Sequence, residues 1–248
     1  MEKLKFSKAT NNAKLKHLGY KNIYTFSLPS GYSCPFSGDC LSKSDRITGK
    51  ITDGKNTLYR CFSASDEARS KQAREQRWHN FDLLRSLDYD SMVNLITDSI
   101  PDNCEVLRIH VGGDMFNQVY FDAWLQVARV YPNIKFYAYT KSLKYWTNRI
   151  NDIPDNLTLN ASRGSSVDYL IDEYNLKTAE VVFSPADAEK KNLEIDHDDS
   201  HALSGKDSFA LLLHGTQPKG SIASKAISTM KQNNIKFGYN RKLQGVAQ

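Results

Sequence analysis

The sequence predicts an α/β protein built on parallel strands, as a TIM-barrel-like or partial (β/α) barrel, with an open doubly wound sheet as the alternative. Three observations lead there. Short apolar, β-branched or aromatic runs alternate with helical patterns along most of the chain. The runs are continuous rather than alternating in hydrophobicity, which marks strands covered on both faces. The residues directly after them are unusually polar, as strand ends are where parallel α/β folds bind ligands. Periodicity does not distinguish a closed sheet from an open one.

The elements follow in order. A first strand covers residues 23–28. Beyond a polar, turn-forming stretch, residues 65–87 read as a long helix, with Ala68, Ala73, Trp78, Phe81, Leu84 and Leu87 at spacings that mix three and five. A second helix covers 89–100. Strands are expected at 106–111, 134–139, 157–161, 181–183 and 209–214. The helices between them fall at about 118–130, 143–149, 167–174 and 221–231, with one more turn at 186–192. No long linker, internal repeat or low-complexity segment interrupts the pattern, so residues 1–248 form one domain with a cysteine-bearing loop at about 29–64.

The chain has 248 residues and four cysteines. That is too sparse for a secreted disulfide scaffold, and no signal peptide opens it, so a reducing cytoplasm is expected. The longest apolar run, 209–213, is far short of the ~20 residues that span a bilayer, so no membrane partner is expected. The formal net charge is +5. Part of it lies near the two ends, in Lys3, Lys5, Lys8, Lys14, Lys16, Lys225, Lys231 and Lys236. This reads mostly as solvated surface, with nucleic acid the less favoured partner.

Cys34, Cys40 and Cys61 fall in the polar stretch after the first strand, a set suited to a soft metal, since the thiolate selects zinc, copper(I) or iron-sulfur clusters. Five residues separate the first pair and twenty the second. Paired zinc knuckles are tighter, and the short-spaced ferredoxin run is not matched either. The residues alone leave open a three-cysteine cubane cluster, a zinc ion completed by a histidine, and no metal. Cys104 precedes a strand, at the opposite end of the sheet, and reads as a buried free thiol.

The strand ends supply the remaining candidates. His110, Asp114, Lys141 and His214 are the candidate catalytic groups, and Gly112, Gly113, Thr140 and Arg163 the candidate substrate-binding ones. Paired glycines let backbone approach a ligand and Asp114 accept its hydrogen bonds; an ordinary strand-to-helix turn with Asp114 as a cap explains the same residues. Lys141 and Arg163 would act as electrostatic clamps, with a histidine moving protons. The segment 196–201, with His197 and His201 four apart, reads as a solvated or hydrogen-bonded loop near the mouth rather than a second metal site. The loop 214–221 would suit a small anion. Arg60, Arg69, Arg74 and Arg77 read mostly as surface charge, and His79 as a candidate fourth metal ligand.

At these segments the chain resembles the gene product 88 family of mycobacteriophage proteins, over about residues 28–239. The resemblance rests on Leu28-Pro29-Ser30-Gly31-Tyr32, Cys34-Pro35, Cys40-Leu41-Ser42-Lys43, Tyr59-Arg60-Cys61, Arg77-Trp78-His79-Asn80, Arg108-Ile109-His110-Val111, Tyr139-Thr140-Lys141-Ser142 and His214-Gly215-Thr216-Gln217-Pro218. It implies a phage-encoded protein in the cytoplasm of an infected bacterial host. More distantly, the Gly-Gly-Asp and Tyr-Thr-Lys strand ends are similar to radical S-adenosylmethionine enzymes, from which the wide cysteine spacing departs. That likeness implies a 4Fe-4S cluster with an open iron and admits S-adenosylmethionine as a ligand.

The combined expectation is a phage-encoded iron-sulfur protein performing redox, Lewis-acid or radical-type chemistry on a small polar molecule, served by an electron donor. The alternative is a zinc-stabilised, non-enzymatic phage protein that binds host protein or nucleic acid.

Overall fold

The computed structural model describes residues 2–12 and 14–235. Lys236 of the basic carboxyl end lies outside the described residues, as does the stretch 236–239 of the family-like region. The chain opens with β1 (Ser7–Lys8), a 3-10 turn (Leu15–Leu18) and β2 (Ile23–Thr25). The cysteine loop follows and carries a small hairpin, β3 (Ser42–Ser44) and β4 (Ile51–Asp53). Then come α1 (Phe62–Arg69), α2 (Lys71–Leu84), α3 (Tyr89–Ser99), β5 (Val106–Ile109), α4 (Gln118–Val130), β6 (Lys135–Thr140), α5 (Leu143–Thr147) and β7 (Leu157–Ser162). The last elements are α6 (Tyr169–Glu173), β8 (Thr178–Val182), α7 (Pro185–Lys190), β9 (Glu194–Ile195), α8 (Ser200–Ser204), β10 (Phe209–Leu212) and α9 (Ile222–Gln232).

Local chemistry explains most boundaries. Asp88, Asn117, Ser184 and Ser221 each cap the helix that follows by accepting a backbone N–H with the side chain, the favoured use of these residue types. The single helix expected over 65–87 is instead two. Ser70 adopts an extended conformation (φ −113°, ψ 104°), its amide closing α1 on Asp66 and its hydroxyl accepting from Ala73 to start α2. A serine competes with the helical backbone for its own hydrogen bonds, which the apolar spacing does not reveal.

The main sheet has eight strands in the order β1-β2-β5-β6-β7-β8-β10-β9. All its pairings are parallel except the antiparallel edge β1. The α/β class is therefore as expected. The closed TIM barrel is not formed: among the described residues β1 and β9 remain unpaired edges. Apart from the exchange of β10 and β9 at one edge, the order advances steadily. A doubly wound sheet instead reverses at a switch point. With right-handed crossovers, a steadily advancing order puts the connecting helices on one face.

The core has two sides. On the helical side, Met92, Ile96, Tyr120 and Trp124 pack against Leu107, Ile109 and Phe136. On the other, Ile23, Val106, Tyr137, Ala179 and Phe209 of five strands form one cluster with Leu15 and Ala202. In a flat sheet β2 and β10 would stand roughly 24 Å apart, at about 4.8 Å per strand. Their side chains share one cluster, so the sheet is strongly curled toward that face. Strands buried on both faces also account for the continuous apolar runs, β5 being buried at every position.

Candidate functional site

The cysteine loop lies over the carboxyl edge of this curled sheet and is tied to it at three strand ends. After β5, Leu28 donates to the Gly112 carbonyl at 2.8 Å. After β7, Gly38 and Asp39 donate to the Gly164 carbonyl at 3.0 and 3.1 Å. After β10, Gln217 accepts from Arg60 N–H at 2.7 Å and donates to its carbonyl at 3.0 Å, a reciprocal clasp on the residue before Cys61.

Buried charge holds the loop from the other side. Glu67 in α1, fully buried, accepts from the Ser30 amide and hydroxyl and from Arg77 at 2.8 to 3.0 Å. Arg77 also donates to Ser63 and Asp66. Arg74 reaches the carbonyls of Arg46, Ile47 and Glu67. Arg60 forks onto Asp53, with its shortest contact at 2.6 Å. The expectation of mostly surface arginines is therefore corrected: Arg74 and Arg77 are buried staples, and Arg60 pins the hairpin. His79 faces the amino terminus, bonding the Lys3 carbonyl at 2.9 Å and lying 3.5 Å from Glu2. It does not reach the cysteines and is no fourth ligand.

Loop and sheet line a cavity of about 160 Å³ whose wall includes Cys34, Cys40, Cys61, His110, Asp114, Lys141 and His214. One water needs roughly 10–15 Å³ of such space, so the cavity has room for a group larger than a single water. All three cysteines of the loop and all four candidate catalytic residues thus meet at one place. The cysteines are free thiols. Among the described residues, no three His, Cys, Asp or Glu side chains form a group that could hold a single metal ion.

Each sulfur has its own electrostatic setting. Burial pushes the Cys34 thiol well up, as does the charge of Asp114, while the Gly31 amide donates to its Sγ at 3.3 Å. Burial raises Cys40 to about 12 against the pull of the Lys141 ammonium. Cys61 is the N-cap of α1; burial raises its thiol, opposed by the Ala64 and Ser63 amides of the first turn and by Arg77. Each sulfur therefore has a donor or cation beside it, while burial on balance keeps all three as thiols.

His110 is left-handed (φ 65°), an uncommon state for histidine. Its Nε2 lies 3.0 Å from the Tyr120 hydroxyl, its Nδ1 has no hydrogen-bond partner among the described residues, and burial lowers its pKa to about 3, so it is a neutral imidazole. His214 packs on Phe62 (centroids 4.8 Å apart) and its Nδ1 lies 3.0 Å from the Leu212 carbonyl. A carbonyl only accepts, so Nδ1 carries the proton and Nε2 is the basic nitrogen. Burial lowers the pKa of this ring as well.

Asp114 accepts from the Thr140 hydroxyl (2.6 Å) and from the Lys141 and Met115 amides (2.8 and 2.7 Å). Burial raises its pKa despite these bonds. It joins the ends of β5 and β6. Thr140 is a brace in the same joint and does not line the cavity. Lys141 reaches the end of β7, donating to the Ser162 carbonyl at 3.0 Å and to the Arg163 carbonyl. Arg163 stands apart, its guanidinium on Asp172 at 3.1 Å, outside the cavity wall. Gly112 and Gly113 line the cavity, but a Cβ on Gly112 would meet the Ser63 hydroxyl at 2.1 Å and one on Gly113 (φ +83°) the Ser33 hydroxyl at 2.5 Å. Their missing side chains admit α1 and the cysteine loop.

Beneath the cavity lies a network the sequence did not announce. Asp199, left-handed (φ 62°) and fully buried, bonds Arg108 at 2.7 Å, Lys14 at 2.5 Å, Tyr137 at 2.9 Å and Tyr139 at 3.1 Å. Burial alone would raise its pKa, but Arg108 and Lys14 hold it well below the usual carboxylate range. Arg108 and Tyr139 belong to the cavity wall, the guanidinium 4.8 Å from the ring. The rest of the 196–201 segment divides. His197 is exposed, whereas His201 lies 3.1 Å from Glu194. The signal that could have found the network is an arginine and two tyrosines inside otherwise apolar strands. Cys104 is buried at the amino end of β5, its thiol raised to about 12 by burial.

These features define an α/β protein whose open, curled sheet carries a three-cysteine cavity at its carboxyl edge. The chain belongs to the Gene product 88 family, which matches residues 2–233. The Gene 88 protein of Mycobacterium phage L5 is 28% identical over 158 residues, covering 57% of this chain and 59% of that protein. The Gene 88 protein of Mycobacterium phage D29 is 31% identical over 90 residues, covering 33% and 38% respectively. The chain thus spans 38% to 59% of the length of these relatives. No solved structure matches it. None of these matches carries the resemblance to radical S-adenosylmethionine enzymes. Among the described residues no helix is long and apolar enough to cross a membrane.

Proposed function

We propose that Cys34, Cys40 and Cys61 hold a 4Fe-4S cluster with one iron not ligated by cysteine, and that the adjoining cavity transforms a small polar substrate. The observation that carries this reading is the meeting of the three thiols with Lys141 and His214 around one cavity. Zinc sulfurs converge on one point at about 2.3 Å. Thiols spread along one cavity wall, with space among them, suit a polynuclear cluster better. The amides at Cys34 and Cys61 and the ammonium near Cys40 fit a cluster, whose sulfurs accept hydrogen bonds that tune it. We read the curled sheet as a partial barrel with this site at its mouth.

When bound, such a cluster supplies one-electron redox capacity and a Lewis-acidic iron. The protein's own part is distinct. Lys141, fixed by the β7 carbonyls, holds positive charge beside Cys40 and any anionic group next to it. His214 Nε2 accepts a proton, the Leu212 carbonyl fixing the ring. Phe62, Val181 and Leu212 keep the cavity wall partly apolar and restrain water. The reaction class is an oxidoreductase, lyase or radical-type transformation, fed by an electron donor in the cytoplasm of the infected bacterial host, where four free thiols stay reduced. S-adenosylmethionine is a candidate ligand of the open iron.

The test is a series in which Cys34, Cys40, Cys61 and Cys104 are each changed to Ala and purified without oxygen. The expected result is brown protein with broad visible absorption that is lost in the first three variants and kept in Cys104→Ala, with a titration of S-adenosylmethionine deciding whether it binds the wild type. Colourless protein that needs stoichiometric zinc to fold would replace this reading with the zinc-stabilised binding protein.

A further inference from the structure

A second recess of about 770 Å³ adjoins the cysteine cavity and shares Phe62, Arg108, Val111 and His214 with it. It lies where the open sheet fails to close: Thr25 at the end of β2 lines one side, and Gly215 and Thr216 after β10 line the other. One face of α1 (Phe62, Asp66, Arg69) and one of α9 (Ile227, Lys231) complete it. Its volume falls in the range of small-molecule sites, roughly 300–1,000 Å³.

Its charge is one-sided. Lys8, Arg69 and Lys231 line it, and no ion pair or side-chain hydrogen bond occupies any of the three among the described residues. The carboxylate in its wall, Asp66, is already paired with Arg77 at 2.8 Å. Three cations on separate elements, β1, α1 and α9, thus line a recess whose acid, Asp66, is already engaged by Arg77. A solvated surface lysine explains one of them but not their convergence. The Phe62 ring, 4.8 Å from His214 by centroid, lies at the boundary with the cysteine cavity.

We propose that this recess binds the phosphate group of a small phosphorylated substrate, with Lys8, Arg69 and Lys231 on the phosphate and the rest of the molecule directed past Phe62 and His214 toward the cysteines. This rests on the functional reading above only for the direction of the substrate; the anion site itself stands on the recess and its cations. Guanidinium and ammonium groups are the usual phosphate partners. A nucleic-acid strand is the poorer fit, because strand-binding proteins line a continuous groove with charge and stacking aromatics, and here the three cations line one recess.

The test is calorimetric titration of the full chain with inorganic pyrophosphate and with ADP, in the wild type, Arg69→Ala, Lys231→Ala, the exposed control Lys144→Ala, and Cys34→Ala. The expected result is saturable binding weakened roughly tenfold by each of the first two substitutions, as for loss of one charge-assisted bond, and unchanged in Lys144→Ala. Binding retained in Cys34→Ala would uphold the anion site even if no cluster forms; a cluster without anion binding would leave the cluster reading standing and overturn this one. Equal binding by all variants, or a single-stranded oligonucleotide bound more tightly than ADP with the same dependence on Arg69 and Lys231, would also overturn it.

Discussion

At the residue scale, the site combines groups whose chemistry is set by burial. His110 carries the clearest pH consequence. Its folded pKa, lowered to about 3, lies below that of an unfolded histidine, so between those values the unfolded chain binds the extra proton. Stability from this residue is fully present above about pH 6.5 and falls by at most about 1.4 kcal/mol per pH unit as pH drops toward 3. His110→Asn, which tolerates the left-handed backbone, should melt with a shallower fall between pH 6.5 and 4 than the wild type. Parallel melting curves would count against a buried neutral imidazole. Asp199 makes a second prediction. Asp199→Asn keeps the shape but deprives Arg108 and Lys14 of their carboxylate, and should cost about 3–5 kcal/mol in urea unfolding. A loss under 1 kcal/mol would show that the network contributes little. Neither residue was legible in the sequence as a partner of the other: Asp199 sits in a run of acids that looked solvated, and Arg108 in a strand that read as apolar. Pairing across 91 residues leaves no local pattern.

At the element scale, the cysteine loop has little regular structure and depends on its ties. Gln217 is the most economical one to remove. Gln217→Ala should leave the sheet intact, cost about 1–3 kcal/mol for its lost hydrogen bonds, and speed alkylation of Cys61 relative to Cys104 in metal-free protein. Unchanged Cys61 reactivity would mean the clasp does not position it. The burial that raises all three loop thiols predicts slow alkylation at pH 7 and proton release when metal is taken up. The strands 106–111, 134–139 and 157–161 were legible nearly to their ends, because burial on both faces leaves an uninterrupted apolar run. The hairpin of β3 and β4 was not, since three-residue polar strands carry no periodicity. The grouping of the candidate residues at strand ends was legible from topology alone, whereas the commitment of Thr140, Asp114 and Arg163 to protein partners depends on directions of side chains that spacing does not encode.

At the scale of the whole molecule, a largely parallel sheet curls without closing, and two recesses adjoin at its carboxyl edge. The inner one gathers sulfur, imidazole and ammonium under the cysteine loop, and the outer one presents cations at the gap between the sheet's ends. Openness itself could not be read from the runs, because closure is decided by the pairing of β1 and β9, two-residue strands at the edges. The metal reading can be tested without knowing the substrate. The most direct measurement is iron, acid-labile sulfide and zinc per chain in protein purified without oxygen. About four irons and four sulfides per chain are expected for a three-cysteine cubane; stoichiometric zinc without sulfide would contradict the account.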